Sequence, residues 1–442
     1  MARYYHAHQV VRNKCRGHMT CMRHCPTQAI RVRYGKAVIS DELCVDCGEC
    51  ISVCPEGAII PIADPLAELS EFKYKVVVPA PVLYSQFGPH VHPYVIHQAL
   101  MKVGFDRVVD VDRSAALLAK AIAKYVDNFK GRKPLISSYC PSIVRLIQVK
   151  YPDLLGQLVP LDAPREVAAK EIRRTLPREL DMDPKDIGIV YLVSCPAKIV
   201  SIRQPAEKGR SNYDSVISIQ DAYAILLPKV RALIQDFDVT QVPEGFTFES
   251  GWARTGCITD HVEEDSWLAV SGLDNVMQVL DDIENGRLRY IEFIEAMAHS
   301  SGCVGGPFCL ENPYVARHTT VRQKDQFEKV PDIDDNEVEE RMANRDLFLA
   351  NPVLPRPMEY FDTDLETSIK RIKERERVFQ NLPQIDCGCC GCPTCMTFAE
   401  DFVRGEVELT DCVFLSGRAK RAPAVTDPSV SQSDDQSGSE AQ

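Results

Sequence analysis

The sequence has no excess of positive charge. Its 442 residues carry 51 Lys and Arg against 63 Asp and Glu, for a formal net charge of −12. A nucleic-acid surface needs a basic stripe to neutralise phosphates, so no nucleic-acid partner is expected. Long apolar runs are also missing. None reaches the ~18 residues of a bilayer-spanning helix, and no membrane span is expected. The first residues, MARYYHAHQVVRNKC, are polar and lack the charged-then-apolar order of a secretory leader. A reducing cytoplasm is the expected compartment. There is no long tandem repeat beyond a doubled motif near the N-terminus. Residues 417–442 have almost no apolar content and are expected to form a disordered tail.

Cysteine is plentiful and clustered. Of 18 cysteines, seven lie between Cys15 and Cys54 and six between Cys387 and Cys412. The other five, Cys140, Cys195, Cys257, Cys303 and Cys309, are scattered through the middle. Disulfide scaffolds are usually short secreted chains. At this length, clustered thiols point to bound metal.

The run CVDCGECISVCP places Cys44, Cys47, Cys50 and Cys54 in C-x2-C-x2-C-x3-C-P, the bacterial ferredoxin spacing. Three close thiolates wrap one 4Fe–4S cubane and the fourth reaches the other cluster. Structural zinc takes two C-x2-C pairs separated by a longer loop, which this run does not offer. The preceding half, KCRGHMTCMRHCP, supplies Cys15, Cys21 and Cys25, with His18 where a cysteine belongs. Crossed ligation assigns Cys15, Cys21, Cys54 and His18 to cluster I, and Cys25, Cys44, Cys47 and Cys50 to cluster II. Two readings of His18 stand side by side. It ligates and raises the potential of cluster I, or it is a loop residue and the site holds a three-iron cluster or an iron with another ligand. His24 reads as a surface residue.

At the other end, IDCGCCGCPTCMTFAEDFVRGEVELTDC contains C-x2-C-x4-C-x16-C, formed by Cys387, Cys390, Cys395 and Cys412. It resembles the small 4Fe–4S domain of corrinoid iron–sulfur proteins and of electron-transport-complex subunits. Cys389 and Cys392 fall outside the spacing and read as spare thiols. A zinc knuckle is the alternative for the whole motif.

Between the two groups, apolar strands alternate with amphipathic helices from Lys73 onward. KVVVPAPV, RVVDV, LISSYC and IGIVYLVSC read as strands, with HPYVIHQALMKVGF, SAALLAKAIAKYVDNF and SIVRLIQVKY as helices. Parallel α/β pairing is expected, with cysteines at strand C-termini where such sheets place ligands. Residues 265–298 read as helix, turn, strand, then a short helix or loop.

SSYCPSIVRLIQVKYP, YLVSCPAKIVS and FIEAMAHSSGCVGGPF occur in that order. They resemble the three signature segments of the iron-only hydrogenase catalytic domain, most closely its sensory or divergent branch. SGWARTG and LENPY add to the likeness. The resemblance implies a cubane held by Cys140, Cys195 and Cys303, with the fourth cysteine position falling on His299. It also implies a two-iron subsite bridged by Cys303 and contacted by Lys198. Glu295 and Met297 match the acidic and Met positions of the third segment. On the residues alone, Cys257 and Cys309 read as ordinary buried cysteines.

Four features depart from the family. Tyr139 stands where productive members carry a proton-relay cysteine, and a phenol relays protons poorly at neutral pH. His299 replaces a thiolate, S-S-G replaces a glycine-containing stretch, and Val193 stands at a usual Met position.

The expected architecture is an α/β hydrogenase-like core with an N-terminal α+β ferredoxin-like domain and a small C-terminal iron–sulfur domain. The expected segments are 1–62 (two clusters), 73–330 (core), 331–382 (helical linker), 383–416 (C-terminal cluster) and 417–442 (tail). The leading functional expectation is an electron-transfer protein or subunit on a hydrogenase scaffold. Its expected cofactors are two N-terminal, one central and one C-terminal 4Fe–4S clusters. A hydrogen-sensing or slow hydrogenase retaining the two-iron site is the second reading, with Lys198 and Cys303 as its catalytic residues. A non-catalytic cluster-assembly or structural protein is the third. The partner implied is a ferredoxin, a flavoprotein or another oxidoreductase subunit, within a complex.

Overall fold

The computed structural model describes residues 4–207, 209–262, 265–324, 327, 330–356 and 364–419. Its contacts divide the chain into two compact units at positions 360/361.

The first unit opens with two antiparallel strand pairs. Strand β1 (His8–Val10), β2 (Ile30–Arg33), β3 (Lys36–Ile39) and β4 (Ile59–Pro61) pair as β1–β4 and β2–β3. Single-turn helices Thr20–Arg23 and Glu49–Ser52 each begin one residue before a cysteine, Cys21 and Cys50. The small core between them holds Met22, Ile30, Val32, Ala58 and Ile59 beside the cysteines. This is the α+β ferredoxin-like arrangement.

Two parallel sheets follow. Strand β5 (Tyr74–Pro79) pairs with β6 (Arg107–Val108), with β8 (Ile187–Val193) and through it with β9 (Ser215–Ser218). The second sheet joins β7 (Leu135–Ile136), β10 (Trp267–Ser271) and β11 (Phe293–Met297) in the order β10-β11-β7. All seven residues of β8 are buried, which explains its unbroken apolar sequence. A strand covered on both faces has no polar side. Each such aliphatic side chain contributes about 1.5–3 kcal/mol on burial.

Several boundaries differ from those read from the sequence. APV ends β5 and turns into the 3₁₀ helix Pro81–Gln86, because Pro81 offers no strand hydrogen bond. RVVDV pairs over only two residues, then Asp112 opens the helix Asp112–Asn128. LISSYC pairs at Leu135–Ile136, so Cys140 sits on a loop leading into the helix Pro141–Lys150. SWLAVS is a strand rather than a helix, since aromatic and β-branched residues pack well in its five-residue pairing with β11. The helix of that region starts later, at Leu273–Glu284.

Within the stretch expected as a linker, the helix Asp335–Ala343 belongs to the first unit. It lies along the helix Asp112–Asn128 through Arg113–Glu337 at 2.8 Å and Lys124–Glu339 at 2.7 Å. The helix Leu365–Asn381 belongs to the second unit. There it packs on the helix Cys395–Val403 around Val378, Leu382 and Phe398. A last helix, Val413–Ala419, extends into the segment expected as a disordered tail, and positions 420–442 lie outside the described residues.

Candidate metal centres

The fold brings the first expected N-terminal group together. Cys15, His18, Cys21 and Cys54 line one cavity, although Cys54 is distant in sequence. His18 stands at its rim, half exposed, with Nε2 3.0 Å from Glu56 Oε1. The two halves repeat one local device: Ala29 N–H donates to Cys25 Sγ at 3.3 Å, and Ala58 N–H donates to Cys54 Sγ at 3.3 Å. Ala37 N–H likewise donates to Cys15 Sγ at 3.4 Å. His24 is exposed, its Nδ1 bonded to Thr20 O.

In the second group Cys44 and Cys50 are buried and Cys25 and Cys47 partly buried, and the members repel one another as anions. Burial raises the Cys47 thiol and Cys25 adds to the rise; burial raises Cys50, with Cys47 and Cys25 adding. Burial lifts Cys44 as well, with nearby Asp46, Cys50 and Cys47 contributing. In the first group burial, then Cys54, pushes Cys21 up to about 11. Such thiols become thiolates where a cation offsets the buried charge. Convergent, buried or partly buried, unbridged cysteines therefore fit iron–sulfur clusters, and none of the 18 is in a disulfide.

The central site assembles from three segments. Cys140 caps the helix Pro141–Lys150, Cys195 caps the helix Pro196–Arg203, and Cys303 opens a 3₁₀ turn. Pro follows both helix-capping cysteines, at the position where a missing N–H costs nothing. Burial raises Cys195 to about 11, with Lys198 opposing and Cys303 and Cys140 adding. Lys198 is buried between Ser194 Oγ at 3.0 Å and Cys303 Sγ at 3.1 Å. Burial pushes its ammonium down, but Cys303, Tyr191 and Cys195 together oppose this and the net direction is up. A fixed cation thus faces the Cys303 sulfur.

His299 is partly buried. Burial lowers it to about 4, so it is a neutral imidazole, and its Nε2 is 2.8 Å from the Cys47 carbonyl oxygen. A ring nitrogen held by a carbonyl is the usual support for a ligating imidazole, whose other nitrogen then faces the metal.

Tyr139 is partly buried. Its hydroxyl donates to Glu295 Oε1 at 2.9 Å and lies 3.8 Å from Cys257 Sγ. Burial holds its proton firmly, and Cys257, Glu295 and Cys303 reinforce this. Glu295 also accepts the backbone N–H groups of Gly256, Cys257, Ile258 and Thr259 at 2.9–3.2 Å, and the Cys257 thiol at 3.4 Å. The S-S-G stretch turns sharply, with Ser301 at φ 67° and Gly302 at φ 95°. A side chain on Gly302 would meet Thr255 N at 2.6 Å.

Two cysteines that sequence reasoning treated as ordinary core lie beside this site. Cys257 touches Tyr139 and Glu295, and Cys309 Sγ donates to Cys303 O at 3.5 Å, its thiol pushed up to about 12 by burial. The nearness of Cys309 to Cys303 in sequence was a usable signal. No spacing signal existed for Cys257.

In the second unit Cys387, Cys390, Cys395 and Cys412 line one small cavity. Cys392 also borders it, but its thiol donates to buried Asp401 at 3.4 Å, while Cys389 is exposed. Asp386 accepts from Cys395 N–H at 2.6 Å and ties the two ends of the loop together.

Comparison with known proteins places this geometry. Residues 73–245 and 229–307 match the model of the iron-only hydrogenase large subunit, C-terminal domain. Residues 14–58 match a 4Fe–4S dicluster domain, and 382–414 a putative Fe–S cluster domain. The chain belongs to the iron-only hydrogenase large-subunit family.

Among curated relatives, the NADP-reducing hydrogenase subunit HndD of Solidesulfovibrio fructosivorans is 24% identical over 41% of this chain and 35% of its own length. Iron hydrogenase 1 of Clostridium pasteurianum is 23% identical over 48% and 44%. The chain therefore spans less than half the length of these two relatives. The periplasmic Fe hydrogenase large subunit of Nitratidesulfovibrio vulgaris is 26% identical over 68% and 86%. Among solved structures, an apo FeFe-hydrogenase HydA1 variant from Chlamydomonas reinhardtii aligns at TM-score 0.46 and 15% identity, over 67% of this chain and 97% of that one. The chain joins an iron-only hydrogenase-like domain to a 4Fe–4S ferredoxin-type domain. Among the described residues, no helix is long and apolar enough to cross a membrane.

Proposed function

We propose that the chain is an electron-transfer protein or subunit in which the hydrogenase site is weakened or lost. The residues that would hold clusters are Cys15, Cys21, Cys54 and His18; Cys25, Cys44, Cys47 and Cys50; Cys140, Cys195, Cys303 and His299; and Cys387, Cys390, Cys395 and Cys412. Each cluster supplies one-electron storage when bound. The observation that carries this reading is the way loop 45–48 docks on the central site. Ser142 Oγ donates to Val45 O at 3.0 Å, two residues after Cys140. Gly48 lies against Pro196, which follows Cys195, and against Pro307. His299 meets the Cys47 carbonyl. Every segment of the central site thus touches the loop of the second N-terminal group. Tyr139 supports the same reading, because a partly buried phenol that holds its proton does not serve as a relay.

Lys198 favours the second reading, a slow or sensing hydrogenase, because it keeps its ammonium against Cys303. Infrared spectroscopy of protein produced with hydrogenase maturation factors separates the two. The relay reading expects no carbonyl or cyanide stretches. Their presence, with H2/D+ exchange, would overturn it. The partner we propose is a soluble redox protein or another oxidoreductase subunit, met through a basic docking patch of its own.

A further inference from the structure

A second set of charges surrounds the Cys44 loop, and no cluster ligation calls for it. Asp46 is fully buried. Its carboxylate lies 3.0 Å from His6 Nδ1, 3.2 Å from His8 Nδ1 and 3.6 Å from Arg145 Nη1, and accepts the Ala7 N–H at 3.3 Å. His8 Nε2 is 3.7 Å from Cys44 Sγ. Arg356 reaches in from the far end of the unit. It donates from Nη1 to Cys44 O at 3.2 Å and from Nη2 to Asp41 O, with its guanidinium 3.4 Å over the Tyr4 ring. Arg145 and Arg356 are only 4% and 5% exposed.

Burying two guanidiniums is expensive, and buried ion pairs seldom raise stability over an apolar replacement. Here Arg145 is matched by Asp46, while Arg356 donates to the Cys44 and Asp41 carbonyls; the Asp41 carboxylate near His6 is partly exposed, so the charge of Arg356 is the less compensated one beside Cys44. In the interior that charge is screened less than it would be at the surface. A cluster that gains an electron gains negative charge, so a fixed positive neighbour favours its reduced form.

We propose that Arg145 and Arg356, balanced by Asp46, are positioning residues that raise the reduction potential of the site held by Cys25, Cys44, Cys47 and Cys50. The inference rests on the relay reading above. Neither arginine belongs to the ferredoxin-like domain. Arg145 sits on the helix that starts next to Cys140, and also donates to Gln204 O at 3.1 Å. Arg356 follows the core in sequence. The potential of this site is therefore set by the hydrogenase-like core on which the domain is docked.

The test is a redox titration of the full-length, iron- and sulfide-reconstituted protein followed by EPR. Arg356→Gln and Arg145→Gln are each expected to lower the reduced-to-oxidised ratio of this cluster at fixed potential by tenfold or more, equivalent to ~59 mV for a one-electron couple. Asp46→Asn is expected to shift it the opposite way, and Arg356→Lys to retain most of the wild-type value. The shifts are expected to persist in high salt, because buried charges are little screened. Arginine and aspartate variants that move the potential in the same direction, or not at all, overturn the proposal. If Arg356→Gln fails to hold its cluster, an unmoved potential in Arg145→Gln overturns it equally. These outcomes leave the relay reading standing. A wild-type protein with no reducible N-terminal cluster overturns the relay reading, and this proposal with it.

Discussion

Glu295 is the residue on which most of the central site leans. One buried carboxylate satisfies four backbone N–H groups, the Tyr139 hydroxyl and the Cys257 thiol. Glu295→Ala leaves those donors without an acceptor, each costing about 1–3 kcal/mol. A loss of at least ~3 kcal/mol in unfolding free energy is expected by denaturant titration. Tyr139 is a sharper functional probe. Tyr139→Cys places a thiol where the phenol stood, and under the relay reading H2/D+ exchange stays at baseline. A rise in exchange accompanied by carbonyl bands would show that a two-iron site had been waiting for its relay. Asp112 gives a pH-dependent prediction. Burial raises its carboxyl well above the usual range, with Asp110 and Glu249 adding to the rise, while it accepts Glu249 N–H at 2.7 Å. Because its folded-state value is raised, its contribution is full in acid and is lost as pH rises through that value. Asp112→Asn mimics the protonated form and keeps the acceptor. Its melting temperature is expected to exceed that of the wild type at pH 7, with the gap closing toward pH ~4.

At the scale of elements, loop 45–48 is the contact that matters. Gly48 has φ 84°, and a Cβ there would lie 2.6 Å from Pro307 Cγ and 2.8 Å from Pro196 Cδ. Both the backbone conformation and the space require glycine. Gly48→Val is expected to cost roughly 1–3 kcal/mol. It is also expected to weaken the magnetic coupling between the second N-terminal site and the central site, measured by EPR of the reduced protein. Unchanged coupling would argue against the loop as the link between them. The same scale shows why β7 is short. Its ladder continues as single bonds, Ser137 N–H to Ile294 O at 3.0 Å, but Ser137 then turns its hydroxyl to Ala296 N–H, and the chain leaves the sheet to bring Cys140 forward. Apolar patterning carried the existence of this strand. Its length was set by the partner strand, which the local sequence does not contain.

Over the whole molecule, the two units contribute cysteine sets of different kinds: two N-terminal sets and a central one in the first, a single compact set in the second. Four cubanes would give roughly sixteen irons per chain with matching sulfide. Iron and sulfide analysis of anaerobically purified protein checks this. An iron count below sixteen with a changed EPR signal would identify a site that His18 or His299 fails to complete, as a three-iron cluster in the first N-terminal group would.

Short-range chemistry was legible in the amino-acid order. The C-x2-C-x2-C-x3-C-P run and the glycine-punctuated C-terminal loop were each readable as a set of thiolates spaced to hold a metal centre. The helix after Cys140 was legible from SIVRLIQVKY, whereas the helix Pro196–Arg203 after Cys195 was not read. What only the tertiary structure decided are contacts across long stretches of chain. Among these are His299 on Cys47 at a separation of 252 residues, Tyr139 beside Cys257 at 118, and Arg356 on Cys44 at 312. Periodicity and motif spacing encode which face of an element is buried, not which distant element covers it. The residues that tune these sites therefore become visible only when packing brings them together.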